Sequence, residues 1–520
     1  MQKNSILFVI LSAFTVFIWY FFFTPQQKQL SQLPPQAQSM TDALDAQYPK
    51  LNDADLSGSS EISSAYAEEK HVNIETEQYK AVLTNKGAGI LSWSVKERSG
   101  QWVDLVFPES APVMANFPGL IYKIVSKSNE KVVFEYVSKD GWKITKTYNL
   151  SNLYMHNLNI SIERKGKTPF PQIDFRWGPG LGTDVKELKE NISLTRALAC
   201  AALKPGKLKK LKNTVESASL YKWLAVDNRY FLAAFIPEKP ADFDKIIPSK
   251  ADKHHPYSIV LTAVAPKNIA KKDYSVNFYL GPKNYTHLKT YDLGFEKTVD
   301  FGFFGFLGKI AFSILSFFYK LTHNYGWAII MLTVVIQILV LPLTLKSFKS
   351  AAAMKRVQPI IKDIQIKYKD SPQRLQAEML NVYKSQKVNP LGGCLPMLLQ
   401  LPIFWAFFTM LRNAYELRNE GWILWVKDLS AADQFMQLGS FNLNILPLIM
   451  GIGMFFQQRM TAVTSDPTQK KMMYIMPVVF TFMFWSFPSG LVIYWLTNSI
   501  ISMMEQYFII KKNAVRVKRV

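Results

Sequence analysis

Between residues 325 and 510 the chain returns five times to an apolar run, near 325–345, 394–411, 443–457, 472–487 and 491–510, each free of charge in its core, with Glu505 toward the end of the last. Runs of this length and hydrophobicity read as membrane spans. In lipid every backbone N–H and C=O needs a partner within its own segment, so such runs are restricted to helices. A sixth run opens the chain. Ser5 to Phe23 carries no charge and ends in "WYFFF", which matches an aromatic interfacial belt and not the short apolar core of a cleaved signal. It reads as a retained anchor over residues 1–23.

Between the anchor and the five runs the pattern changes. Residues 24–70 are rich in Gln, Pro, Ser and Asp and read as a flexible tether. From residue 71 the apolar period becomes two: Leu91, Trp93 and Val95 alternate with polar neighbours, as do Leu158, Ile160 and Ile162, and Asp140-Gly141 separates two alternating runs as a hairpin turn would. Residues 71–295 are therefore expected to form a mostly antiparallel β domain of sandwich type. The aromatic, glycine-interrupted stretch 301–320 fits a helix lying in the membrane interface, within a segment 296–324 that leads into the second span at 325–345. Residues 346–393 read as a basic helical hairpin, with Ser371 and Pro372 opening its second helix. Four further spans fill 394–510, and 511–520 form a basic tail.

Charge orients these six spans. Ten Lys or Arg and three acids lie between Lys346 and Lys387, and five basic residues and no acid lie in the tail; the loop 411–442 has three basic residues against four acids. The positive-inside rule places the hairpin, the tail and both termini in the cytoplasm and the β domain outside. The net charge of +22 suits an anionic partner, lipid or ribosomal RNA.

Little in the β domain points to catalysis. His71, His156, His254, His255 and His287 are scattered and read as surface or core residues, and no paired carboxylates or His–acid set stands out. The basic run "LKPGKLKKLKN" reads as a solvated loop. Cys200 and Cys394, the only cysteines, have neither the number for a disulfide framework nor the neighbours of a zinc site.

The membrane runs do carry polar residues: Thr333 and, one turn later, Gln337; Gln400; and Tyr494, Trp495, Thr497 and Asn498. One reading makes them hydrogen-bonding glue between helices; the other lines a wet cavity with them. The lack of charge in the cores of the runs argues against an ion-coupled transporter.

"KVNPLGGCLPMLLQLPIFWAFF", "FPSGLVIYWLTNSI" and "LVLPLT" followed by a basic hairpin closely resemble the YidC membrane protein insertase family, in its Gram-negative form with a large periplasmic domain. The resemblance implies a polytopic α-helical membrane protein with six spans, a five-span insertase core and a β super-sandwich similar to sugar mutarotases. It implies a bacterial inner-membrane location and insertion of nascent membrane proteins, alone or beside the Sec translocon, without a cofactor or nucleotide hydrolysis. It further implies a hydrophilic groove open to cytoplasm and lipid, lined here by Thr333, Gln337, Gln400, Tyr494, Trp495 and Asn498. Gln337 falls where family members usually carry an arginine, so polarity without charge is the expected groove property. The hairpin would recruit clients, and the tail would contact the ribosome or anionic lipid headgroups. A functional monomer is expected. A small-molecule transporter with a periplasmic binding domain is the alternative.

Overall fold

A computed structural model describes residues 68–517 apart from 108–109, 139–140, 165–169, 183–187, 203–206, 251–255, 267–268, 389–394, 439–440 and 462–466. The anchor, nearly all of the tether, His254, His255 and the "NPLGGC" motif lie outside the described residues.

Alternating sequence gives antiparallel strands. A four-stranded sheet is formed in order by β1 (His71–Glu75), β2 (Tyr79–Thr84), β3 (Ile90–Lys96) and β4 (Trp102–Asp104). The largest sheet has nine strands. They include β5 (Lys123–Lys127), β6 (Lys131–Val137), β7 (Trp142–Asn149) and β8 (Met155–Arg164) on one side, and β10 (Arg196–Ala201), β11 (Leu208–Lys210), β12 (Tyr221–Asp227), β13 (Phe231–Pro237) and β16 (Lys271–Pro282) on the other. Its order is β11-β10-β12-β13-β16-β8-β7-β6-β5. A third sheet has the order β14-β15-β9, from Phe243–Ser249, Ser258–Ala263 and Asp174–Trp177.

The two smaller sheets both lie on the large one. Trp93 of β3 stacks on Tyr79 at 4.6 Å and meets His156 of β8 at 4.8 Å and Phe278 of β16 at 6.2 Å. Phe243 of β14 meets Tyr274 of β16 at 6.3 Å. Leu158, Ile160 and Ile162 are buried in this core. The alternation at β3 is corrected in one detail: Ile90, not Leu91, points inward with Trp93 and Val95. A bulge opposite Val82 and Leu83 shifts the register there, and one extra residue reverses the facing of what precedes it.

Lys146 and His156 are both buried in the sandwich. Strict alternation along β7 places Lys146 inward with Trp142, Ile144 and Tyr148. Its ammonium donates to the carbonyl of Met114 and, at 2.8 Å, to Asn116 Oδ1, and burial pushes its pKa well below the usual lysine range. It thereby holds a loop in which Met114 and Phe117 both adopt left-handed backbone. His156 accepts the Ser151 N–H at 3.2 Å through Nδ1, and burial pushes its pKa down to about 3. The unfolded imidazole, near 6.5, takes up a proton that the folded one refuses, so stability falls as pH drops from 6.5 toward 3. Between pH 6.5 and 5.0 this group is expected to cost the β domain about 2 kcal/mol. Tryptophan-monitored unfolding of the full-length protein at the two pH values should show that loss in wild type and its absence in His156→Phe; an equal loss in both would assign it to other groups.

Helices make up most of the remainder. Short α1 (Leu188–Leu194) and α2 (Tyr285–Thr290) belong to the β domain, and α3 (Gly305–Thr322) follows it. Next come α4 (Tyr325–Lys367), α5 (Pro372–Ser385), α6 (Leu395–Asn413), α7 (Ile445–Thr461), α8 (Pro467–Met483) and α9 (Ser489–Val517). By length and hydropathy α4 alone among the described helices meets a strict test for a membrane span, with a mean hydropathy of 2.6 in its apolar stretch. It runs unbroken through Pro342 and Pro359, so the apolar segment and the first arm of the basic hairpin are one helix, about 65 Å long. The hairpin closes on a small apolar core of Val357, Ile361 and Val388, against which Met354, Met379 and Tyr383 pack. Ser371 stands at the N-cap of α5 without a capping side-chain bond, leaving Pro372 to open the helix.

The start of α4 is fixed by "HNYGW". Asn324 accepts the N–H groups of Gly326 (2.9 Å) and Trp327 (3.2 Å), two of the donors a helix start leaves unpaired. Gly326 is required because a Cβ there would fall inside the Trp422 indole.

Candidate functional site

Helix α9 packs against α4, α6 and α7. Tyr494 and Asn498 are one turn apart and share a face of it. That face meets two partners. Gln337 of α4, only 7% exposed, donates through Nε2 to Oδ1 of Asn498, itself 6% exposed. Gln400 of α6 lies beside the Tyr494 hydroxyl, whose ring packs at 4.6 Å on Phe407. Four of the six residues singled out in the sequence therefore form two uncharged contacts, α4 to α9 and α6 to α9.

The other two lie differently. Thr333 is fully buried one turn before Gln337, and its hydroxyl donates to the Ile329 carbonyl of its own helix at 2.7 Å. Trp495 is rotated away from Tyr494, as neighbours on a helix are, and sits among Phe404 (5.5 Å), Phe480 (5.8 Å) and Phe484 (5.3 Å).

Helices α4 and α9 bury further polar residues. Thr344 and Ser347 of α4 and Ser499 and Gln506 of α9 are buried as well. Thr333, Gln337 and Thr344 are spaced by four and seven, a one-face pattern that the sequence offered and that stops short of the hairpin. The Ser499 hydroxyl has no hydrogen-bond partner among the described residues, the kind of buried group that a water or a guest polar group satisfies.

At the other end of these helices the loop after α6 joins the β domain. Arg418 forms a buried ion pair with Glu97, which follows β3, at 2.6 Å, and Asn419 also donates to that carboxylate. The Arg418 guanidinium lies 4.6 Å over the Tyr230 ring. Beside it Arg98 pairs with Glu420 at 3.0 Å and reaches over Tyr319 and Tyr325. Glu416 accepts the Tyr285 N–H at 2.7 Å, and burial raises its pKa to about 7. These residues lie in loops without periodicity, so nothing in the sequence marked them.

Residues 317–516 match the family described as 60Kd inner membrane protein, and residues 118–314 match the YidC periplasmic domain. A membrane protein insertase YidC of Endomicrobium trichonymphae is 77% identical over the full length of both chains. One from Syntrophus aciditrophicus (strain SB) is 32% identical over 98% of this chain and all of that one. A crystal structure described as an active YidC insertase with its first transmembrane domain resolved is similar at 20% identity with a TM-score of 0.39, over 85% of this chain and 93% of that chain. On the strength of the two full-length sequence relatives, the chain belongs to the YidC family of membrane protein insertases.

Proposed function

We propose that the chain is an inner-membrane insertase with a periplasmic domain, taking nascent membrane proteins as its clients. The observation that carries this is the 77% identity, end to end, with a relative named for that function. The activity involves no covalent step. Burial of the client's apolar span drives it, at roughly 25 cal/mol per Å² removed from water.

The amide seam is where we place client contact. Six spans put both termini, the basic hairpin and the tail in the cytoplasm, and Gln337, Gln400, Tyr494 and Asn498 face a groove that opens between α4 and α9. Thr333 and Trp495 stiffen its walls. Opening the groove breaks the Gln337–Asn498 bond, and an interhelical bond of this kind in a membrane is worth only about 1 kcal/mol. Each large apolar side chain that the client buries returns roughly 1.5–3 kcal/mol, so the seam is weak enough for a client to open. Its amides then solvate the client's polar segment, whose unpaired transfer would be costly. The hairpin and tail suit recruitment of a ribosome, with anionic lipid as an additional contact of the tail. The Sec translocon is a further partner of the proposed insertase. One groove per chain makes the working unit a monomer.

Proteoliposomes containing the purified protein should insert a ribosome-bound single-span client well above protein-free liposomes, with a photo-crosslinker at position 337 capturing the client. Insertion without crosslinks at 337 would keep the function and remove the groove from this seam.

A further inference from the structure

A cavity of about 540 Å³ opens where the edge strand β11 and its neighbour β10 meet the segment that enters α3. Its lining includes Lys210 from β11, Lys297 just before that segment, and Lys309 from α3. One acid, Asp300, is among its described lining residues. That carboxylate is already engaged by the Gly302 N–H at 2.8 Å and lies 3.6 Å from the Arg196 guanidinium. Arg196 is itself held by Asp227 and by the Thr298 carbonyl. Three lysines from three different elements thus line it, with no unengaged carboxylate among its described lining residues.

The mouth of the cavity is apolar. Phe303 is 95% exposed and Phe306 77% exposed, and Ile310, Phe317 and Leu321 continue an exposed apolar row along α3 toward α4. Lysines on an edge strand often serve only to prevent edge-to-edge pairing. That role accounts for Lys210 but not for Lys297 or Lys309, which lie on no sheet edge. A cationic cleft bordered by exposed aromatics, at the start of the helix that leads into α4, is matched by a molecule with an anionic head and apolar chains.

We propose that this cavity is a binding site for an anionic phospholipid of the outer leaflet, with the phosphate among Lys210, Lys297 and Lys309 and the acyl chains along Phe303 and Phe306. Anionic lipid is favoured over zwitterionic lipid because a choline or ethanolamine head would bring a fourth cation to three unbalanced ones. The basic run around Lys210 thereby gains a role on the side of the membrane opposite the basic tail. The inference rests on α4 crossing the bilayer and is independent of the insertase reading, since its readout is lipid retention and not insertion.

The test uses the full-length protein in nanodiscs of phosphatidylcholine with a graded fraction of phosphatidylglycerol, and native mass spectrometry of the lipids it retains. Lys511, Lys512, Arg516, Lys518 and Arg519 are changed to Gln throughout, to silence the tail. Each of Lys210→Gln, Lys297→Gln and Lys309→Gln is expected to weaken phosphatidylglycerol retention about five-fold, and the triple variant on the order of 100-fold. The melting temperature serves as a check that the fold is kept. Undiminished retention by a folded triple variant would overturn the proposal. So would equal displacement of the lipid by glycerophosphoglycerol or inorganic phosphate, which would make the cavity a site for soluble phosphate. Should the triple variant fail to fold, the three single variants decide.

Discussion

Arg418→Met in the full-length protein is expected to destabilise the joint between the β domain and the loop after α6 by about 3–5 kcal/mol. The reason is the partner it leaves behind. Glu97 and Arg418 are both buried with their charges 2.6 Å apart, and removing the guanidinium leaves a carboxylate in a site with little water. The double variant Glu97→Leu/Arg418→Met removes both charges and is expected to recover most of the loss, because a buried ion pair and an apolar pair of similar volume are often close in stability. Thermal unfolding in detergent with proteolysis of the 414–430 loop as a second readout measures this. Equal loss in the single and double variants would mean that packing of Arg418 over Tyr230, and not its charge, holds the joint.

Gln337→Leu is expected to reduce client insertion at least ten-fold while lowering stability by only about 1–2 kcal/mol. The small stability cost follows from losing one interhelical bond and leaving Asn498 without that donor. The large functional cost follows from lining the proposed groove with leucine, where a client's polar segment finds no hydrogen-bonding partner. Gln337→Arg keeps donors and adds charge, so it is expected to retain insertion of neutral clients and to raise that of acidic-tailed ones. Gln337→Leu in a client insertion assay, run beside a melting curve, separates the possibilities. Unchanged insertion with the expected stability loss would make the Gln337–Asn498 bond a packing contact and nothing more.

Much of the fold was legible because two periods dominate the chain. Alternation of two located strands from His71 onward, and Leu158, Ile160 and Ile162 point inward as their spacing requires. The apolar runs likewise coincide with helices, since hydrophobic length and helical geometry are local properties. Lys146, two residues from Ile144 and two from Tyr148, shares their inward face once the strand is formed. What alternation cannot state is which carbonyls await the ammonium, and the loop around Met114 supplies them from some thirty residues away.

The same division holds for the site. The sequence by itself determined that uncharged polar residues recur within otherwise apolar segments, and therefore that Thr333, Gln337, Gln400, Tyr494, Trp495 and Asn498 were the residues to follow. Their pairing is long-range: Gln337 and Asn498 are separated by 161 positions, and only the packing of α4 on α9 brings them into contact. That packing also divided Tyr494 from Trp495, adjacent in the chain but on different faces of one helix. The Glu97–Arg418 joint and the three-lysine cavity were decided by tertiary structure alone. A buried charge needs a partner and a cationic cleft needs convergence, and neither leaves a periodic trace in the elements that supply it.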